Sequence, residues 1–124
     1  MKSFLLGIFL IMTTSCFSQN LKDYRWKNRL VILVGDKNEP LFKKQEEKLI
    51  KLQKELDTRQ IILFQGNSEI INQLSADKTF HGLILIGKDG GVKLKEQFIV
   101  EPELLFSLID GMPMRRAEIK QNKG

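Results

Sequence analysis

The sequence holds one cysteine, one histidine, one tryptophan and one tyrosine in 124 residues. A single cysteine forms no disulfide within the chain and no CxxC redox pair. One cysteine and one histidine do not suffice for a Cys/His zinc site. Only three prolines and 42% hydrophobic residues exclude wholesale disorder. The length admits one domain and leaves no room for a second. Charge of one sign is in modest excess: 20 Lys+Arg stand against 15 Asp+Glu, a net +5.

The first residues carry an export pattern. Lys2 precedes Phe4 to Met12 (FLLGIFLIM), an apolar run inside the signal-peptide range of roughly 7–15 residues. The run is too short to cross a bilayer alone, which takes about 20 apolar residues. Small residues follow, and two fates are open. Cleavage after Ser18 would leave a mature chain starting at Gln19 with no cysteine at all. Alternatively, Cys16 is a lipoprotein cysteine. Ser15 before it fits, but Thr13 stands where leucine is usual. Soluble export is the favoured reading, giving a signal peptide over residues 1–18 and a mature domain over 19–118. Loss of Lys2 lowers the net charge from +5 to +4. The basic groups Arg25, Lys27 and Arg29, and Arg115, Arg116, Lys120 and Lys123, read as solvated surface charge. A nucleic-acid partner is not expected, nor is a transmembrane segment once the signal is removed.

The mature chain shows no internal repeat. Leu30 to Val34 (LVILV) is a continuous apolar run ending at Gly35, as a strand buried on both faces requires. Asp36 to Pro40 is a loop in which Asp36 or Asn38 caps the next helix. Leu41 to Asp57 reads as one helix, with Phe42, Leu49, Leu52 and Leu56 on one face and Gln45 in the remaining slot. A second buried run, Ile61 to Phe64, precedes a short helix capped by Ser68 and bearing Ile70, Ile71 and Leu74. Leu83 to Ile86 is a third. Asp89-Gly90 within Gly87 to Gly91 marks a hairpin. Val92 to Lys95 alternates, with Val92 and Leu94 inward. Glu101-Pro102 opens a helix with Leu104, Leu105, Leu108 and Ile109 as its apolar stripe. Residues after Met114 read as a frayed tail, with 119–124 disordered. The order predicts an α/β fold in which a β-α-β unit is followed by β-β-α: the thioredoxin-like layout, a mixed sheet of about four strands with flanking helices. About 105 mature residues bury roughly two thirds of their unfolded surface, enough to fold without disulfides.

In that layout the working thiol lies where the first strand meets the first long helix, its pKa lowered by the helix N-terminus. Gly35-Asp36-Lys37-Asn38-Glu39-Pro40-Leu41 stands there, without cysteine. Thiol–disulfide and thiol-peroxidase chemistry are therefore not expected, and no cofactor or metal is implied. His81 precedes the third strand and has no serine or cysteine beside it. Asp36 and Glu39 suit helix capping better than paired-carboxylate chemistry. Gly87 to Gly91 lacks the GxxxxGK[ST] phosphate-loop pattern.

Three segments stand out, of which the hairpin and the Met-Pro-Met-Arg-Arg segment are specific: Tyr24-Arg25-Trp26-Lys27-Asn28-Arg29-Leu30, Leu85 to Leu94 (LIGKDGGVKL), and Leu105 to Arg116 (LFSLIDGMPMRR). Together they resemble domain-of-unknown-function family 4174, over about residues 21–118. The resemblance implies a thioredoxin-like domain of exported bacterial proteins and brings no catalytic residues. It also suggests that the hairpin and the Met-Pro-Met-Arg-Arg segment share a face. The expected protein is an exported, periplasmic or secreted binding module with a protein or envelope partner. Its candidate binding surface is Trp26, Asp36, Lys88, Arg115 and Arg116. Two alternatives are an enzyme using carboxylates or His81 at the strand end, and an envelope protein anchored through a lipid on Cys16.

Overall fold

The computed structural model describes residues 21–74 and 79–123. The segment read as a signal peptide (residues 1–18), with Cys16, and the expected first residues of the mature chain lie outside them. After a 3-10 turn, Leu21–Tyr24, the elements run β1 (Arg29–Val34), α1 (Pro40–Ile50), α2 (Gln53–Thr58), β2 (Ile61–Gln65), α3 (Ser68–Gln73), β3 (Gly82–Ile86), β4 (Val92–Gln97), α4 (Pro102–Asp110) and α5 (Pro113–Lys123). The sheet order is β2-β1-β3-β4. β1 pairs parallel with β2 and antiparallel with β3, and β4 closes the hairpin against β3. This is the mixed four-stranded sheet with flanking helices that the residue pattern predicts.

β1 holds the fold together because it is central and buried at all six positions. Alternate side chains point to opposite faces. Val31 and Leu33 meet Phe42, Leu49, Leu56, Leu105 and Ile109 from α1, α2 and α4. Leu30, Ile32 and Val34 meet Phe64, Ile70, Ile84 and Ile86, with Tyr24 packed against that cluster. Each such aliphatic side chain contributes about 1.5–3 kcal/mol on full burial. β3 repeats the pattern, also buried throughout. Gly82 belongs in it because a Cβ there would lie 2.1 Å from the Glu96 carbonyl oxygen on β4.

Several local expectations are corrected. The long helix breaks between α1 and α2, where Leu52 leaves the helical region and its N–H bonds back to the Leu49 carbonyl, a tightened turn. Leu49 and Leu56 nevertheless stay in one cluster across the break. The cap of α3 is Asn67, one residue before Ser68, and its side chain accepts from the Ile70 N–H. Glu39, not Asp36 or Asn38, sits at the N-cap position of α1, and its side chain makes no capping bond. Val92 is 52% exposed because the register jumps near it: Leu94 faces Leu85, yet Val92 faces Ile86. Lys93, Lys95 and Glu96 charge the edge strand that results. On α4 the buried face is Leu105, Phe106 and Ile109, while Leu104 and Leu108 are exposed. The stripe is turned toward Phe106, whose ring supports the Arg59 guanidinium at 4.3 Å. Finally, the stretch expected to fray after Met114 is helix α5, which runs through Lys123. Pro113 suits its first turn, and ion pairs to the sheet end hold it.

Gln45 is a buried polar residue with a structural task. Its amide donates to the Val100 carbonyl at 2.9 Å and accepts from the Val100 N–H at 2.6 Å. It thereby takes the place of a strand partner for the segment entering α4. Gln45→Leu would leave both backbone groups buried without partners. Urea unfolding of this variant should show a loss of about 2–4 kcal/mol.

Candidate functional site

The sheet has two ends, and chemistry-bearing residues gather at both. At the C-terminal end of β1 the chain turns through Gly35, whose φ of +145° favours glycine. Asp36 then accepts from the Asn38 N–H at 2.9 Å, and the Glu39 N–H bonds to the Asp36 carbonyl at 3.0 Å. The Asp36 carboxylate is thus engaged within its own loop. Glu39 reaches across to His81, with Oε1 at 3.5 Å from Nδ1, and both side chains are half-exposed. Val34, Gly35, Gly66, Asn67, Phe80 and His81 line a shallow cavity of about 250 Å³ beside this pair. Among the described residues no group of His, Cys, Asp and Glu is arranged to hold a metal.

The opposite end, where β1 begins and β3 finishes, is densely ionic. Arg29, only 1% exposed, forks onto Glu118 with both terminal nitrogens at 3.2 Å. One of these nitrogens also donates to the Arg59 carbonyl at 2.9 Å. Lys88, from the hairpin, donates to the same Glu118 carboxylate at 2.6 Å and to the Gln60 side chain. Arg115 approaches Glu118 at 3.6 Å, donates to Asp110 at 3.1 Å and caps the Thr58 carbonyl at 2.8 Å. Arg59 forks onto Asp110 at 3.0 and 2.8 Å and meets Glu55 at 2.8 Å. α5 therefore lies across the sheet end, from the α2–β2 turn past β1 to the hairpin.

Burial shapes the charges here. Desolvation by itself would raise the Glu118 carboxyl, but hydrogen bonds from Arg29 and Lys88 outweigh it and hold the group below its ordinary value. Asp110 behaves alike under Arg59 and Arg115. Burial opposes the charge on Arg59, yet its bonds to Asp110 and Glu55 raise its pKa further. Asp89, in the exposed hairpin, is lowered by hydrogen bonds from Lys93 and from the Gly91 N–H.

The five residues expected to form one binding surface are divided between the two ends. Asp36 stands apart at the far end. Lys88 and Arg115 are each about 8% exposed and are consumed by ion pairs, so they are structural before they are available. Both hold Glu118, and in this sense the hairpin and the Met-Pro-Met-Arg-Arg segment do come together. Trp26 and Arg116 are exposed. Arg29, read as solvated, is the most buried charge described. The sequence reasoning also passed over Arg59, Asp110 and Glu118. A signal existed for Glu118: it is the one carboxylate among the basic residues after Met114, three positions from Arg115.

Residues 20–118 match the family described as Domain of unknown function (DUF4174), and the chain belongs to that family. The match ends on Glu118, so it contains every member of the ionic cluster. No curated protein and no solved structure matches the chain.

Glu118→Gln should cost about 2–4 kcal/mol in urea unfolding at neutral pH, because it leaves Arg29 and Lys88 buried without a countercharge. The folded pKa values of Glu118 and Asp110 lie below the ordinary 4.5 and 3.8. Their stabilisation is therefore fully present above those ordinary values. It is lost as pH falls through the lower folded ones. A stability–pH profile should decline on that acid limb, and more shallowly in Glu118→Gln.

Proposed function

We propose that this member of the family is an exported, non-redox thioredoxin-like module that binds a protein or another envelope component. The observation that carries the reading is the β1–α1 junction. A thiol would have to sit there, and Gly35 to Pro40 instead forms a loop closed by its own Asp36 hydrogen bond. The only cysteine, Cys16, belongs to the segment read as an export signal. With thiol chemistry removed, the fold offers a rigid sheet with two polar ends, which suits recognition.

A second reading has one specific observation in its favour. Glu39 and His81 meet beside the shallow cavity, a carboxylate placed to orient an imidazole. Such a pair suits a general base acting on water or on a substrate proton. A third concerns anchoring: lipidation of Cys16 would tether the same module to a membrane.

Four measurements separate these readings. In an insulin-reduction assay the protein should give the rate of dithiothreitol alone; a faster rate that survives Cys16→Ala overturns the non-redox reading. Intact mass of the form recovered from the envelope or medium should correspond to a chain starting at Gln19, whereas an acylated Cys16 assigns the anchored form. Cross-linking in the native envelope should yield a discrete adduct. A hydrolytic turnover abolished by His81→Gln without loss of folding would replace binding by catalysis.

A further inference from the structure

Trp26 is the sole tryptophan of the chain and it is 59% exposed. Its backbone stands at φ +70°, a region that bulky residues rarely enter. The surrounding structure enforces this. The Trp26 N–H donates to the Lys88 carbonyl at 2.6 Å, and the Lys27 and Asn28 N–H groups both bond to the Tyr24 carbonyl. Tyr24 is in turn held edge-on against Phe64 at 5.3 Å. A large aromatic is thus presented to solvent on a strained turn bolted to the core at two points. Strain retained in this way points to a use for the displayed side chain.

The surroundings say what it is displayed to. Arg25 lies over the indole at 5.3 Å, and Lys27 follows. The Trp26–Lys88 bond places this turn at the sheet end crossed by α5, because Lys88 also holds Glu118. The outer positions of α5 include Arg116 and Lys120, both exposed. At this end Glu118 and Asp110 are already committed to buried cations, and Glu55 to Arg59. Exposed Arg25, Lys27, Arg116 and Lys120 stand against the exposed carboxylates Asp23, Asp57 and Glu69, the last lining one cavity with Arg25, while Asp89 of the hairpin is held by Lys93, so the balance of this end is basic. The turn also lies close in sequence to the apolar run Phe4 to Met12 and to Cys16.

We infer that the end of the sheet formed by the Trp26 turn and α5 docks on an anionic lipid surface. The indole seats at the headgroup level, and Arg25, Lys27, Arg116 and Lys120 meet the lipid phosphates. This specifies the envelope component of the binding reading. It rests on export only for its setting, since lipid binding is measured without export.

Both hydrophobic clusters and all the ion pairs described lie within residues 21–118, so the chain from Gln19 to Gly124 carries a complete core. With this form, Trp26 emission reports docking directly, free of any other tryptophan. Titration with vesicles of phosphatidylglycerol and phosphatidylcholine at low salt should shift the emission to the blue and co-sediment the protein. Vesicles of phosphatidylcholine alone should do neither, and added salt should release the bound protein. The pair Arg116→Glu and Lys120→Glu should weaken binding by about tenfold or more while leaving the circular dichroism unchanged. Trp26→Ala should lose co-sedimentation, and Trp26→Phe should retain most of it. Three results would overturn the inference: no binding to the anionic vesicles, equal binding to both compositions, or a blue shift on raising protein concentration without lipid, which would assign the face to a second copy of this chain. Failure on vesicles together with an adduct in the native envelope would leave the binding reading standing with a protein partner.

Discussion

One carboxylate ties together parts of the chain that are far apart in sequence. Glu118 receives Arg29 from the first residue of β1, Lys88 from the hairpin beyond β3, and lies within reach of Arg115 on its own helix. Arg29 cannot be buried at the head of the central strand without a countercharge, because an isolated cation in that position carries a desolvation penalty of several kcal/mol. The helix that brings Glu118 has too little apolar surface to dock by burial alone: Met114, Ala117 and Ile119 are its hydrophobic residues, and Met114 is exposed. Strand and helix therefore depend on each other. The strand needs the carboxylate, and the helix needs the cations.

That dependence organises the two ends of the sheet differently. The ionic end is tightly cross-linked, with Asp110 and Glu118 shared among Arg29, Arg59, Lys88 and Arg115. Its basic residues serve structure first, and only those turned outward remain for recognition. The opposite end is looser and more open. Its loop is self-contained, its histidine and glutamate are half-exposed, and its cavity is small. The loop at that second end reads Asp-Lys-Asn-Glu and carries no thiol.

Particular residues show how far local pattern reaches. The runs at Leu30, Ile61 and Leu83 are strands because continuous β-branched and aliphatic residues serve a sheet covered on both faces. Asp89-Gly90 turns the hairpin as its chemistry requires, with Gly90 at φ +86°. Phe42, Leu49 and Leu56 share a face across an interrupted helix. In contrast, the exposure of Val92 follows from a register shift that only pairing with β3 creates. The exposure of Leu104 follows from α4 turning Phe106 under Arg59. The first depends on how two neighbouring strands pair and the second on a partner far away in sequence, and neither is a property of periodicity along one segment.

From the sequence alone came the order of elements, the family, the placement of the lone cysteine in the leading segment and the absence of a thiol at the strand end. These depend on composition, short-range periodicity and turn chemistry, which are properties of contiguous residues. The tertiary structure decided which charges are buried, that the last residues form a helix, and that Lys88 and Arg115 meet while Asp36 lies at the other end. Those outcomes hinge on where Glu118 sits relative to Arg29. Electrostatic partners act over a few ångströms of space and carry no fixed spacing along the chain, so only the folded arrangement of β1, the hairpin and α5 could assign them.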